Sequence, residues 1–311
     1  MRIAVMGSGG VGGYFGGRLA QAGEDVTFLA RGAHLDAIRR DGLRVESTAG
    51  DFHVRPAAAD DPKAVGPVDL VLFAVKSYDT ESAGRSTLAL LDKDTTVLCL
   101  QNGVDNEERL AGILGAAHVL TGVVHVLSTI RAPGVVAQTA GPRTITLGEL
   151  DGQVTPRVER IHQVLTHAGI AARISGQIQL DLWEKFMLIS AQGGVTALAN
   201  LPIGDILACV ETAQLYRGVM EEVATVGRAR GVAIPGDAVE RALAFAKKLE
   251  PGMRSSLAHD LAHGRRLEVE ALSGAVVRYG REAGVPTPFS FAIYAALKPH
   301  HEKAMRGVPS A

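Results

Sequence analysis

The sequence predicts an α/β chain, with an N-terminal domain built on a parallel sheet and a second, all-helical C-terminal domain. Three observations carry this expectation. A short apolar run, Ile3-Ala4-Val5, leads through Gly7-Ser8-Gly9-Gly10-Val11-Gly12 into an amphipathic stretch, the strand, glycine turn and helix order of a dinucleotide-binding start. Continuous apolar runs recur at Val68 to Val75 and Thr96 to Leu100, as in strands that a parallel sheet buries on both faces. From about Gln177 onward the apolar spacing becomes helical. The first domain is therefore expected to be Rossmann-type.

Each element follows from its local chemistry. Gly7 permits a tight turn, Gly9 lets a pyrophosphate approach the backbone at a helix N-terminus, and Gly12 lets the helix pack closely on the strand. Ser8, Gly10 and Val11 complete the cofactor-binding loop. In the helix, Tyr14, Phe15 and Leu19 face inward while Arg18 and Gln21 face outward. The next strand, Val26 to Leu29, leads to Arg31, nineteen residues after Gly12. An NAD-binding protein usually places Asp or Glu there, on the ribose 2′-hydroxyl. A guanidinium fork instead grips a 2′-phosphate, which favours NADP(H); the alternative is a solvated strand-end arginine.

The apolar run at Val68 to Val75 ends in Lys76-Ser77-Tyr78, and a helix follows through Leu91. The strand Thr96 to Leu100 then delivers Gln101-Asn102-Gly103 to the same carboxyl edge, where ligands of open α/β sheets gather. Val119 to Ser128, Val135 to Gln138 and Thr144 to Leu147 read as strands of a β-rich extension, joined by Pro-Gly and Gly-Pro turns. Helical stripes begin at Leu182, Phe186 and Ile189, at Tyr216, Val219, Val223 and Val226, and at Leu272, Val276 and Tyr279. The domain boundary falls near Arg173 to Gly176, giving domains of residues 1–174 and 175–311, and Arg306 to Ala311 are expected to fray.

Composition narrows the function classes. A chain of 311 residues fits two domains, and 47% apolar residues supply ample core. With 32 Lys plus Arg against 33 Asp plus Glu, no global field draws nucleic acid or an anionic membrane. The expected partner is a small molecule. The two cysteines form no CxxC pair, which suits a reducing cytoplasm. No signal-peptide pattern and no apolar run near the roughly 20 residues of a membrane span is visible, so a soluble, cytoplasmic, unprocessed chain is expected. The histidines make no metal-ligand pattern, and His300-His301 reads as an exposed pair. The apolar stripes fit a homodimer or a single internal core equally well.

A bound NADPH donates hydride, but the reduced carbonyl oxygen also needs a proton, so the second domain should supply an acid. Lys185 is the candidate, because Leu182, Trp183 and Phe186 could partly desolvate its ammonium. The alternative is a surface lysine paired with Glu184 or Asp181. At this point the chain resembles the ketopantoate reductase (2-dehydropantoate 2-reductase) family over essentially its whole length. The resemblance is carried by the glycine loop, Arg31, Val75-Lys76-Ser77, Gln101-Asn102-Gly103, Leu182-Trp183-Glu184-Lys185, and Ser255-Ser256-Leu257 followed by Glu268. It implies NADPH-dependent reduction of a 2-keto acid, with 2-dehydropantoate to pantoate in pantothenate biosynthesis as the default, and a two-domain cleft holding the nicotinamide. By the same resemblance Lys185 is the general acid, Glu268 its carboxylate partner, Ser256 a ligand of the substrate carboxylate, and Asn102 and Lys76 cleft residues near the cofactor. Alternatives stay open for three of them. Ser256 could cap a helix starting near Leu257, Asn102 could belong to an Asn-Gly turn, and Glu268 could be a solvated helical carboxylate.

The departures matter as well. The family commonly carries asparagine four and eight residues after the lysine, where this chain has Ile189 and Gly193, and its Asn-Gly-Glu stretch aligns with Ile203-Gly204-Asp205. Losing such a hydrogen bond in a buried site costs on the order of 1 to 3 kcal/mol. Either Gln192, Thr196, Asn200 or His259 compensates, or the pocket takes a less polar keto acid. A non-catalytic NADPH sensor is a further alternative, weakened by the presence of both Lys185 and Glu268.

Overall fold

The computed structural model describes residues 1–307 and resolves them into two compact units. The first comprises Met1–Gln101 and Asn106–Ile178, and the second Asn102–Asp105 and Gln179 onward. The chain therefore changes units at Ile178, four residues past the sequence boundary, and lends the short segment Asn102–Asp105 to the second unit.

In the first unit the order is β1 (Arg2–Met6), α1 (Gly10–Gln21), β2 (Asp25–Leu29), α2 (Gly32–Asp41), β3 (Leu43–Ser47), β4 (Phe52–Val54), β5 (Ala57–Ala59), β6 (Leu70–Phe73), α3 (Thr80–Thr87), β7 (Thr96–Cys99), α4 (Asn106–Leu114), β8 (Val119–Ala132), β9 (Val135–Gly148), α5 (Pro156–His167) and β10 (Ala171–Ile174). The strands form one mixed sheet in the order β4-β3-β9-β8-β7-β6-β1-β2-β5, with β10 also on β9. Parallel pairing of β1 with β2 and β6, and of β6 with β7, brings their carboxyl ends to one edge. Leu70 to Phe73 and Thr96 to Cys99 are buried throughout, as continuous apolar runs require.

Two expectations need correction. The strands expected in a β-rich extension belong to the same sheet, because β8 pairs parallel with β7 while β9 returns antiparallel along β8. Val135 to Gln138 and Thr144 to Leu147 are also one strand rather than two. Pro133-Gly134 does turn the chain, but Gly141-Pro142 does not. His125 lies opposite Thr144 and Leu127 opposite Ala140, so residues 141–143 bulge out while the pairing continues. Arg143, at φ 56°, sits in that bulge.

The glycine turn is governed by contact. Gly7 has φ 100°, and a Cβ there would lie 2.7 Å from the Val75 amide nitrogen. At Gly12 a Cβ would collide with the Gly7 carbonyl oxygen and lie 2.9 Å from Val5 Cγ1. The start of α1 is thus pressed onto β1 as closely as two backbones allow. At Gly9 nothing lies within 4 Å, so that position is reserved for something other than packing.

The second unit contains α6 (Ile178–Ala199), α7 (Ile203–Ala208), α8 (Val210–Ala229), α9 (Ala238–Ala246), α10 (Ser256–Ala262), α11 (Ser273–Ala283) and α12 (Pro288–Arg306). Ile178, the first residue of α6, packs with the first unit, and the rest of the helix with the second. Phe186, Tyr216, Val219, Val223, Val226 and Val276 are buried together in its core, as the stripes predict. Arg306 closes α12, and Val308 to Ala311, expected to fray, lie outside the described residues. Among the described residues no helix is long and apolar enough to cross a membrane, and no cluster of three or more metal-ligating side chains occurs.

Gly12→Ala is expected to cost about 1–3 kcal/mol in urea unfolding, as overpacking does, whereas Gly9→Ala changes stability by less than about 0.5 kcal/mol. Equal effects of the two substitutions would contradict the packing argument.

Candidate active site

The carboxyl edge of the first unit is built from backbone groups and a few buried polar side chains. Gly9 is the N-cap of α1, uncapped by any side chain. The first-turn N–H groups of a helix have no intrahelical partner and carry partial positive charge. The Ser8 hydroxyl donates to the Leu29 carbonyl at 2.7 Å, so Ser8 offers a ligand its main chain and not its side chain. Arg31 is exposed, caps the start of α2, and makes no ion pair among the described residues. These groups fit a dinucleotide. The open space over Gly9 suits a pyrophosphate, the helix start suits its charge, and Arg31 is an uncommitted cation on the next strand end.

A second buried network holds the neighbouring strand ends. Gln101 Nε2 donates to the Val75 carbonyl at 3.0 Å and to Thr80 Oγ1 at 2.9 Å. Thr80 Oγ1 lies 2.8 Å from the Ser77 carbonyl and 3.2 Å from Asn106 Oδ1. Gln101, Thr80 and Asn106 are all buried, and together they fix the Val75-Lys76-Ser77 segment. Lys76 itself is half-buried at the start of the turn after β6. Thr80 and Asn106 carry no motif, and sequence reasoning passed over them.

In the second unit, Lys185 Nζ donates to Asn102 Oδ1 at 2.9 Å. The pairing with Glu184 entertained from sequence is replaced, since Glu184 accepts from Arg241 at 2.5 Å. Lys185 is half-buried beside Trp183 and Phe186, whose rings pack edge to face at 5.6 Å. The Asn102 segment is anchored three residues on, where Arg278 on α11 donates to Asp105 at 2.7 Å. The Asp105 side chain is only 10% exposed.

Glu268 is buried and lies in the connection between α10 and α11, so it is neither solvated nor helical. Helix α12 grips that connection on both sides. The Leu267 N–H donates to His301 Nδ1 at 3.1 Å, while Tyr294 and Lys298 hold the Glu270 carboxylate at 3.0 and 2.5 Å. His301 is therefore half-buried and engaged, unlike the exposed pair expected; His300 is exposed. Ser256 is exposed at the first turn of α10, and the cap is Ser255, whose hydroxyl accepts the Ala258 N–H at 3.0 Å. The capping alternative for Ser256 is thus corrected by one residue.

The departures acquire a physical setting. Ile189 packs at the border of the apolar core, and Gly193 lies about 3.5–3.9 Å, measured from a virtual Cβ, from Leu272 and Leu257. Ile203 is 1% exposed and belongs wholly to the core. Of the residues that could compensate, Thr196 is bound to the Gln192 carbonyl at 2.6 Å and to Ser255 at 2.8 Å, and Asn200 accepts from Arg254 at 2.8 Å. His259 is exposed, and the Gln192 side chain is buried.

A nucleotide-type sheet with a glycine-turn helix start, together with a helical unit bearing a lysine–amide pair, defines a two-unit oxidoreductase architecture. A family model described as Ketopantoate reductase PanE/ApbA matches residues 3–152, and its C-terminal counterpart matches residues 177–301. The chain belongs to the ketopantoate reductase family, and is an oxidoreductase of the kind that acts on CH–OH groups. It is 36% identical to a 2-dehydropantoate 2-reductase of Halobacterium salinarum over 290 residues, 93% of this chain and 95% of that one. The crystal structure of a PanE/ApbA family ketopantoate reductase from Ralstonia eutropha JMP134 superposes with a TM-score of 0.91 at 35% identity, covering 98% of this chain and all of the other. A D-mandelate dehydrogenase bound to NADH and anilino(oxo)acetate shares the fold, with a TM-score of 0.89 at 20% identity and coverage of 98% and 99%.

Arg278→Ala, which removes the ion pair between α11 and the mostly buried Asp105, is expected to destabilise the protein by about 1–2 kcal/mol, between the values for exposed and buried pairs. Urea unfolding measures it, and a change below about 0.3 kcal/mol would mean the pair does not anchor the Asn102 segment.

Proposed function

We propose that this protein reduces a 2-keto acid to a 2-hydroxy acid with NADPH, and that 2-dehydropantoate is the first substrate to test. The observation that carries the reading is the Lys185 ammonium, half-buried and held by Asn102 Oδ1 at 2.9 Å. NADPH supplies the hydride when bound. Lys185 polarises the keto oxygen and donates a proton to it as alkoxide charge develops, and Glu268 supports the ammonium's charge. Asn102 holds the ammonium in one orientation, and on this reading it also contacts cofactor and substrate. Ser256 offers its hydroxyl to the substrate carboxylate, and Lys76 meets the cofactor. In the first domain, the Gly7 to Gly12 loop binds the pyrophosphate and Arg31 the 2′-phosphate.

A second reading keeps the chemistry and changes the substrate. Ile189 on the core border, and Leu257 and Leu272 beside Gly193, put hydrocarbon where the family commonly carries amides. That favours a keto acid with a larger apolar substituent.

NADPH oxidation with ketopantoate and a panel of branched 2-keto acids tests both readings. Lys185→Ala is expected to lower kcat by about 10²–10⁴-fold, as loss of a positioned general acid does; unchanged turnover removes the mechanism. No turnover of any keto acid despite tight NADPH binding would favour a sensor. Arg31→Ala is expected to weaken NADPH binding by about 10-fold or more with little change for NADH, the loss of a charge-assisted pair. Equal losses for the two nucleotides would contradict the 2′-phosphate role.

A further inference from the structure

His34, in the first turn of α2, touches both parts of the loop system that the glycine turn organises. Its Nε2 lies 3.0 Å from the Ser8 carbonyl oxygen, and its Nδ1 lies 3.1 Å from the Gly134 amide nitrogen at the β8–β9 turn. These partners fix the protonation state. The Gly134 N–H can only donate, so Nδ1 accepts, and the Ser8 carbonyl can only accept, so Nε2 carries the hydrogen. Only the neutral Nε2–H imidazole makes both bonds. We infer that His34 is a positioning residue for the nucleotide, a neutral staple that holds the glycine loop against the β8–β9 turn and sets it in register with Arg31 at the start of the same helix.

The staple joins residues far apart in sequence, and the surrounding contacts show what it secures. The Ser8 hydroxyl is bound to Leu29 at the end of β2, so Ser8 is tied through its side chain to one strand and through its carbonyl to α2. A Cβ at Gly10 would collide with the Ser128 carbonyl of β8, so the hairpin flanks the helix start as well. The hairpin turn is itself fixed, because the Gly134 carbonyl accepts the Arg44 N–H at 2.9 Å. Pyrophosphate and 2′-phosphate are bound by groups on either side of His34, and a shift of the loop relative to α2 changes their spacing.

Protonation disables the staple. An imidazolium has N–H at both nitrogens and turns a donor toward the Gly134 N–H. Burial, not a neighbouring charge, pushes the His34 imidazole below its ordinary value, and the Ser8 carbonyl opposes this. The charged groups nearest in sequence on its own helix are Arg31 and Asp36, and on the hairpin Arg131, which pairs with Glu46; the glycine loop and the first turn of α1 carry none. Nucleotide affinity therefore falls with pH as His34 takes up its proton.

The inference rests on the reading of the glycine loop as the nucleotide site, and calorimetric titration of the full chain with NADP⁺ between pH 5.5 and 8 separates the two, with wild type, His34→Gln and His34→Ala compared. Gln keeps a donor for the Ser8 carbonyl and does not titrate. At pH 7.5 His34→Ala is expected to bind NADP⁺ about fivefold to tenfold more weakly, the fold-change for one or two neutral hydrogen bonds, and His34→Gln to recover part of that. The 2′-phosphate titrates in the same range in every variant, so the readout is the excess weakening of wild type over His34→Gln toward acid pH. Tighter acid binding in wild type than in His34→Gln would overturn the inference, because His34 would then act as a cationic phosphate ligand. An identical pH dependence in both would overturn it too, and so would ¹⁵N shifts of His34 showing a proton on Nδ1 at pH 7.5. Wild type that binds no NADP⁺ at any pH would overturn the nucleotide reading itself.

Discussion

The structure depends on the closeness with which α1 is laid against β1. At position 12 the helix meets the Gly7 carbonyl and Val5 with no room for a methyl group, and at position 7 the chain turns through φ 100° beside Ala74 and Val75. Close packing leaves no slack in such a place. Because α1 cannot back away, its first-turn amides stay at the carboxyl edge of the sheet, and the open space over Gly9 is defined by its surroundings. The hydroxyl of Ser8, the imidazole of His34 and the backbone of Ser128 then fix the loop from three directions.

The second unit solves a different problem, that of keeping charged groups half-buried in a helical core. Lys185 shares α6 with Phe186 and Met187, each 1% exposed, and an ammonium taken from water needs compensating hydrogen bonds. Asn102 supplies one, and Asp105 with Arg278 anchors the segment that carries Asn102. Glu268 is held in the same spirit, on a connection fixed by His301, Tyr294 and Lys298 of α12. Lys185 and Glu268 are thus flanked by polar contacts one step removed from them, and a core of valine, phenylalanine and tyrosine sets the helices on which those contacts sit.

What could be read from the sequence was what is local. The glycine spacing, the apolar runs of β1, β6 and β7, and the stripes of α6, α8 and α11 are set by neighbours a few residues apart, and the structure bears them out. The pairing of Gly134 with His34 spans 100 residues and that of Arg278 with Asp105 spans 173, and no periodicity announces either. The continuity of β9 through Gly141-Pro142 was hidden because those residues usually end a strand, and only pairing with β8 carries the chain past them. At Ser255-Ser256 the capping alternative fell on Ser256, and the structure puts the cap one residue earlier, where the Ser255 hydroxyl accepts the Ala258 N–H. Ile203 looked like a lost polar contact, and its burial shows a side chain recruited into the core.

A crystal structure of the protein with NADP⁺ tests the central claim most directly. The account predicts pyrophosphate oxygens within hydrogen-bond distance of the amides that begin α1, over the open face of Gly9, with the 2′-phosphate against the Arg31 guanidinium. A nucleotide bound away from the glycine turn, or bound there with Arg31 turned into solvent, would contradict it.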